Sequence, residues 1–190
     1  WHVQSVNSKY KNYVVVIGES ARADYMNLYG FQAVNTPFFN QTKGLFIDGY
    51  ISAGEVTMVS VLNSLSYRHE MNNSMVTLAN KAGFATYWLS NQGMLGMLSR
   101  DISIFALQSE YNYYTQRGDY KTSISTSDTL LLPELKKVLA KPESRPRLIV
   151  VHIMGSHANF CDRLTNPVAF KLSSPSLSCY VSTIKETDKL

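Results

Sequence analysis

The sequence predicts an α/β fold with a largely parallel central sheet, and three observations lead to this prediction. Apolar segments of strand length alternate with polar turns and amphipathic helices along the 190 residues. The first apolar segment, Tyr13–Ile17, lacks polar alternation, which is typical of a strand covered on both faces. The length and the 45% hydrophobic content suit a single domain with its own core.

Two helices and a strand follow the first strand. Apolar residues recur three and four positions apart over Thr57–Leu65 and again over Ser74–Ala82, which predicts two amphipathic helices. Gly83 comes directly after the second helix, where a left-handed residue commonly ends a helix. The next apolar run, Phe84–Leu89, predicts the second strand.

The second half of the chain contains one region without a clear pattern and then three predicted elements. Met94–Tyr120 is rich in tyrosine, and we expect irregular structure there. A helix is predicted over Thr129–Ala140, with Pro133 tolerated in its first turn. Leu148–Met154 predicts a third strand, and Cys179–Leu190 predicts a final helix with one apolar face.

Composition excludes several classes of protein. Aromatic residues make up 12% of the chain, which argues against disorder, and the net charge of +4 comes from dispersed residues, which argues against a nucleic-acid binder. No apolar run reaches the roughly 20 residues that span a bilayer. The chain starts at Trp1 without a signal sequence and ends without a helix cap, so we expect residues 1–190 to be one partial domain. Cys161 and Cys179 form either one disulfide, which implies an oxidising compartment, or two buried thiols.

Polar side chains follow all three predicted strands. Glu19 comes after the first strand, Asn91 and Gln92 after the second, and His157 after the third. Ligands of open α/β sheets bind outside the carboxyl ends of the strands, so these residues are candidates for one site. Loops are polar in any case, so coincidence is the alternative.

Glu19 and Thr57 each allow two interpretations. A carboxylate directly after a buried strand must be paired, hydrogen-bonded or metal-bound, and Arg22 and Arg100 are candidate ion-pair partners of Glu19. Thr57 starts a helix, where threonine is a common N-cap. The same position favours a phosphate beside the hydroxyl, which a metal would activate as a nucleophile.

The histidines and Ser20 also have alternative roles. His157 stands at a strand exit and can bond a phosphate oxygen or carry a proton. His152 lies inside an apolar strand, so we expect a hydrogen-bonded core histidine. The segment around Ser20 resembles the G-x-S-x-G turn of serine hydrolases, but Arg22 replaces the last glycine and the strand is the first of the chain.

Several segments together resemble a known family. The most specific parts of the resemblance are Val14–Asp24 and the HIMGSH stretch from His152 to His157. Two further segments add to the resemblance, namely Ser52-Ala53-Gly54 with Thr57 and Trp88 with Asn91-Gln92-Gly93. Over residues 13–190 the chain resembles the catalytic domain of phosphoethanolamine transferases. This family includes lipid A modifying enzymes and the mobile colistin-resistance proteins, which confer polymyxin resistance, and belongs to the alkaline phosphatase/sulfatase superfamily.

The resemblance implies an α/β/α sandwich that is incomplete at its C-terminus, with Glu19 as a zinc ligand and Thr57 as a zinc-bound nucleophile. His157, Gln92 and Asn91 would contact the substrate. Thr57 would accept phosphoethanolamine from phosphatidylethanolamine and pass it to lipid A, the lipopolysaccharide core or another glycan. A preceding membrane domain would hold this domain, expected as a monomer, at the periplasmic face of the bacterial inner membrane.

The chain departs from the family pattern in two places. The family completes its metal site with an Asp-His-Gly segment that these 190 residues lack. Since zinc takes three or four protein ligands, we expect this chain alone to bind zinc weakly and to be inactive. The colistin-resistance members have a lysine where this chain has Gly93–Gly96.

Three functions are alternatives to phosphoethanolamine transfer. They are a phosphoglycerol transferase, a phosphatase- or sulfatase-type hydrolase, and a non-catalytic domain that binds a headgroup or partner protein.

Overall fold

The computed structural model describes residues 1–95, 100–119 and 124–190. The chain divides into two compact units. The first comprises residues 1–17, 130–153 and the described part of 52–123, and the second comprises residues 18–51, 124–129 and 154–190. Gly96 and the side chain of Arg100, both considered above, lie outside the described residues. None of the helices within the described ranges is long and apolar enough to cross a membrane.

The regular elements are numbered in chain order. They are β1 (Asn12–Ile17), α1 (Pro37–Gln41), α2 (Thr57–Leu65), β2 (Ser66–Tyr67), β3 (Glu70–Ser74), α3 (Met75–Lys81), β4 (Ala85–Ser90), α4 (Arg100–Gln108), β5 (Tyr111–Tyr114), α5 (Leu132–Ala140), β6 (Arg147–His152) and α6 (Pro175–Asp188). Short 3₁₀ turns lie at Ala23–Tyr25, Asn27–Tyr29, Asp128–Leu131 and Phe160–Arg163.

The first unit contains a four-stranded sheet with the strand order β1-β6-β4-β5. Every pair of neighbours is parallel, which confirms the predicted α/β class with a parallel central sheet. All residues of β4 and β6 are buried, as expected for central strands covered on both faces. His152 at the end of β6 lies in register with Ile17 of β1 and Ser90 of β4, so three neighbouring strands end together.

One face of this sheet packs against three helices. Trp88 and Val150 point to that face and are completely buried. Their neighbours in the cluster are Val61 of α2, Val76 and Ala79 of α3, and Ile102, Phe105 and Ala106 of α4. The predicted helices α2 and α3 are confirmed, and α3 begins with a capping box between Ser74 and Thr77. Helix α2 buries Val61 of its predicted apolar face, whereas α3 buries Val76 and Ala79 and leaves Leu78 of its predicted face 39% exposed.

The first strand differs from its prediction. Val14 and Val16 are 47% and 61% exposed, so the expectation that β1 is covered on both faces is wrong. Among the described residues β1 lies at the edge of the sheet beside β6, and Val14 and Val16 point to the face opposite the cluster around Trp88, which is open to solvent over this strand. Alternate residues of β1 still face the core, since Tyr13, Val15 and Ile17 pack against the cluster around Trp88.

The region expected to be irregular contains two regular elements, the helix α4 and the strand β5. Part of the predicted region, residues 96–99 and residue 120, lies outside the described residues. The hairpin of β2 and β3 was also not predicted. The final helix starts earlier than predicted, because Ser174 caps it by accepting a hydrogen bond from the backbone of Leu177, and Pro175 occupies its first turn.

The second unit is built around α6. Tyr180, Val181 and Ile184 of this helix are buried and pack against side chains that include Tyr25 and Phe31. Both carboxylate oxygens of Asp188 accept hydrogen bonds from the first turn of α1, at the backbone nitrogens of Phe38 and Phe39. The structure joins Cys161 to Cys179 in a disulfide, the first of the two alternatives for these cysteines.

Candidate functional site

The loop after β1, Gly18–Arg22, is held by α6; we call it the Glu19 loop. The hydroxyl of Tyr180 donates to the carbonyl of Ser20 at 2.8 Å and accepts from the backbone nitrogen of Arg22 at 2.9 Å. Burial raises the pKa of Tyr180, so the phenol keeps the proton that it donates. Ser20 has a φ of 54°, a conformation that serine rarely adopts, and its hydroxyl donates to Glu19 Oε1 at 2.7 Å. The Glu19 loop therefore has a fixed, strained shape.

Of the two arginines expected as candidate ion-pair partners of Glu19, the structure describes the side chain of Arg22 alone. The guanidinium of Arg22 bonds both carboxylate oxygens of Asp24, at 3.0 and 2.6 Å, in an exposed ion pair. The side chain of Arg100 is not described. Glu19 itself is half-buried.

The structure brings the Glu19 loop together with Met154–His157, which we call the Gly155 segment. The backbone nitrogen of Ser156 donates to the carbonyl of Glu19 at 3.0 Å. Gly155 has a φ of 48°, and a Cβ at this position would lie 3.0 Å from the Glu19 carbonyl oxygen and 3.1 Å from its nitrogen. Only glycine fits so close to another backbone in this conformation. His157, half-buried, is the next residue but one, so Glu19 and His157 are held on two interlocked segments.

The prediction from sequence missed a residue that holds the same segment. The carboxylate of Asp128 accepts hydrogen bonds from the backbone nitrogens of Met154 and Gly155, at 2.7 and 2.9 Å. These bonds join residues 26 and 27 positions apart. No local spacing in the sequence indicates these long-range bonds. Asp128 also lies just before a predicted helix, where an acidic residue is common because the helix dipole favours negative charge.

Thr57 lies in the first unit as the first residue of α2, and it is half-buried. The N-cap position belongs to Val56, so the interpretation of Thr57 as the N-cap is wrong. The segment before the helix folds back on its first turn, because Ser52 is hydrogen-bonded to Ser60 at 2.8 Å. A Cβ on Gly54 would lie 2.8 Å from the backbone nitrogen of Ser60, so this close approach requires glycine.

Asn91 and Gln92, also in the first unit, are tied to the end of β6. The backbone nitrogen of Asn91 donates to the carbonyl of His152 at 2.9 Å. The amide of Gln92 donates through Nε2 to the carbonyl of Ile153 at 2.9 Å, and Asn91 is completely buried. Both residues therefore stand at the aligned strand ends, where they were predicted.

His152 is a core residue, as expected, but the expectation that its ring is hydrogen-bonded is wrong within the described chain. Neither ring nitrogen has a partner among the described residues. The ring packs edge-on against Trp88 at 6.1 Å between centroids. Burial lowers the pKa of His152 to about 4, so the ring is neutral at pH 7.

The predicted site residues therefore fall into two groups. Glu19 and His157 come together in the second unit, whereas Thr57, Asn91 and Gln92 belong to the first. Across the described residues no group of three or more His, Cys, Asp or Glu side chains is placed to hold a metal ion. This set does not by itself fit the three or four protein ligands of a zinc site.

Comparison with known proteins gives matches along nearly the whole chain. The profile of the family described as "Sulfatase" matches residues 11–190. The chain is 39% identical over 194 residues to "Phosphoethanolamine transferase OpgE" of Escherichia coli K12, a match that covers 100% of this chain and 37% of that protein. It is 42% identical to a "Putative phosphoethanolamine transferase" of Haemophilus influenzae, over 96% of this chain and 40% of that protein.

A solved structure shares the fold. The "C-terminal periplasmic domain of EcEptC" of Escherichia coli, in complex with Zn, superposes with a TM-score of 0.79 at 22% identity. The match covers 96% of this chain and 58% of that domain. The chain thus spans about two fifths of the two curated relatives and somewhat more than half of the solved domain.

Proposed function

The chain belongs to the sulfatase family, and from this membership we propose that it is part of an enzyme that transfers phosphoethanolamine to an acceptor in the bacterial envelope. The observation that carries the proposal is the likeness, along nearly all of this chain, to two relatives that are named as phosphoethanolamine transferases. The donor in this proposal is phosphatidylethanolamine, and the acceptor is lipid A, the lipopolysaccharide core or another glycan.

In the proposed reaction Thr57 is the nucleophile. Its hydroxyl loses its proton as Oγ forms a bond to the phosphorus of the donor, while the bond from phosphorus to the diacylglycerol oxygen breaks and that oxygen takes up a proton. An acceptor hydroxyl then loses its proton as it attacks the same phosphorus, and the bond from phosphorus to Thr57 Oγ breaks, so that Oγ takes up a proton. The position of Thr57 in the first turn of α2 supports this role, because the N–H groups and dipole of a helix N-terminus favour phosphoryl oxygens.

The other predicted residues take binding roles in the proposal. Glu19 is a zinc ligand, and His157, Gln92 and Asn91 contact the phosphoethanolamine group. The interlocked backbones of Glu19 and Gly155 support a fixed carboxylate and a fixed imidazole. The described residues do not complete a zinc site, so the proposal places the remaining ligands in the part of the protein that this chain does not span.

The proposed setting is supported by the likeness of the chain to the domain of EcEptC that is named as periplasmic. We propose that the chain is the first part of a catalytic domain that follows a membrane domain. That domain would act as a monomer at the periplasmic face of the inner membrane. The covalent Cys161–Cys179 bond supports this setting, because disulfides persist in the oxidising bacterial periplasm.

A transfer assay on the full-length protein tests the proposal. The enzyme, supplied with zinc and lipid A, is given headgroup-labelled phosphatidylethanolamine or phosphatidylglycerol in separate vesicles. We expect labelled lipid A from phosphatidylethanolamine alone, with a loss of at least about a thousandfold in Thr57→Ala. Ser64→Ala, at an exposed position of the same helix, is the matched control and should keep full activity. Transfer from phosphatidylglycerol alone would identify a phosphoglycerol transferase, and no transfer from either lipid would favour a binding domain.

A further inference from the structure

Arg163 completes a set of contacts on the Gly155 segment that begins with Asp128. Its Nε donates to the carbonyl of Gly155 at 2.9 Å, and its Nη2 lies 3.3 Å from Asp128 Oδ2. Its Nη1 donates to the carbonyl of Ile124 at 2.6 Å. Asp128 bonds the backbone N–H of Gly155 and Arg163 bonds its carbonyl, so both backbone polar groups of Gly155 are hydrogen-bonded to the pair.

The pair is buried to a degree that calls for an explanation. The Arg163 side chain is 3% exposed and that of Asp128 is 11% exposed. Removing two charges from water is costly, and replacement by apolar residues is often neutral or stabilising, so a buried ion pair is weak evidence for a role in stability. Here each charged group bonds backbone atoms of the Gly155 segment. If the pair were replaced by apolar residues, those buried backbone groups would lose their hydrogen-bond partners.

The Gly155 segment, which Asp128 and Arg163 bond, also contacts Glu19. The N–H of Ser156, the residue after Gly155, donates to the Glu19 carbonyl, and the Cα of Gly155 lies against the Glu19 backbone. The backbone from residue 154 to residue 156 therefore connects the atoms that the pair bonds with the N–H that contacts Glu19.

We propose that Asp128 and Arg163 are positioning residues, which set the backbone of Glu19 and His157 for the phosphoryl transfer proposed above. The inference rests on that proposed function, because it assigns the pair a part in the reaction rather than in folding alone. A displacement of about 1 Å at a reacting group can cost roughly a hundredfold in rate. The pair acts by preventing such displacement.

The first test is steady-state kinetics of the full-length enzyme with zinc, phosphatidylethanolamine as donor and lipid A as acceptor. Asp128→Asn should lower kcat about 10- to 100-fold and leave KM within about twofold, since the geometry of the reacting groups changes more than donor binding. Arg163→Lys keeps the charge but lacks the planar fork, so it should show an intermediate loss. Ile184→Val, a stability control in the core of α6, should keep its kcat. An unchanged kcat in folded Asp128→Asn would overturn the proposal.

The second test does not need activity. Hydrogen–deuterium exchange resolved to single amides should show faster exchange at Ser156 in Asp128→Asn, because the contact with Glu19 loosens. A purely local role would speed exchange at Met154 and Gly155 and leave Ser156 protected, which would contradict the proposal. If Asp128→Asn does not fold, the double variant Asp128→Asn/Arg163→Gln leaves no unpaired charge and is measured instead. If the unmodified enzyme transfers nothing, the proposed function has failed. The exchange at Ser156 then tests by itself whether Asp128 and Arg163 fix the backbone that contacts Glu19.

Discussion

Strands β1 and β6 have nearly the same apolar character and lie side by side, yet they are buried to very different extents. Every residue of β6 is buried, whereas the residues of β1 alternate between exposed and half-buried. The register pairs Val16 of β1 with Val151 of β6, and these two valines are 61% and 5% exposed. The turns that follow also differ, since a Cβ on Gly18 would meet nothing within 4 Å, while one on Gly155 would meet the Glu19 backbone.

The difference shows what an apolar run can and cannot predict. A run of β-branched residues indicates a strand because such side chains fit a pleated, buried surface. It does not indicate whether both faces of that strand are covered, because that depends on segments far away in the chain. Val16 and Val151 lie on the same face of the sheet, opposite the cluster around Trp88, and that face is covered at Val151 but open at Val16.

The largest predicted effect concerns the end of β6 and depends on pH. The pKa of His152 is about 4 in the folded protein against 6.5 for an ordinary histidine, because the ring is buried. Between these values the unfolded chain binds a proton that the folded chain does not, so stability is full above pH 6.5 and falls as the pH drops towards 4. The loss is about 3 kcal/mol, and it levels off below pH 4.

Urea unfolding at pH 7.5 and pH 4.5 measures this effect. The comparison is with His152→Leu, which keeps an apolar side chain and removes the titration, so the difference between the two proteins isolates His152 from the carboxylates. An equal pH dependence in the two proteins would show that His152 does not titrate with a lowered pKa.

The second prediction uses the paired valines. Val151→Ala should cost about 2–3 kcal/mol, from lost burial and a residual cavity, whereas Val16→Ala should cost about 0.5 kcal/mol or less. The substitution is identical, so the two free energies of unfolding compare the environments alone. Similar costs would mean that the side chain of Val16 is covered as well as that of Val151, and would contradict the exposed face of β1.

The third and smallest prediction concerns the two glycines. Gly155→Ala should cost about 1–2 kcal/mol, because alanine disfavours a φ of 48° and its Cβ would press on the Glu19 backbone. Gly18→Ala should be neutral or stabilise by a few tenths of a kcal/mol, since its site is open and alanine restricts the unfolded chain. Thermal unfolding of both variants checks this, and a larger loss for Gly18→Ala would reverse the assignment of the two turns.

Local signals predicted much of the fold. The spacing of apolar residues predicted α2, and the capping residues Ser74 and Thr77 help to define the predicted helix α3. The helix α4 was missed because it was grouped with the tyrosine-rich segment that follows it, although Ile102, Phe105 and Ala106 have helical spacing. The strand β5 was missed because it is short and consists of three tyrosines and one asparagine.

The candidate site was predictable to the extent that its residues follow strands. Glu19, Asn91 and His157 were found in this way, because strand ends can be read from apolar runs. Asp128 and Arg163 were not, because they bond backbone atoms of a distant segment, and neither residue stands in a motif. Tyr180 was predicted only as part of an apolar helix face, and its bonds to the Glu19 loop depend on the folding of that loop.

One measurement tests the central claim most directly, namely that Thr57 carries phosphoethanolamine during the reaction. The full-length protein with zinc is incubated with headgroup-labelled phosphatidylethanolamine in the absence of acceptor, digested, and searched for adducts by peptide mass spectrometry. We predict one phosphoethanolamine group on the peptide that contains Thr57, lost in Thr57→Ala and discharged when lipid A is added. A label on another residue, or transfer to lipid A with no adduct on Thr57 at any time, would contradict this account.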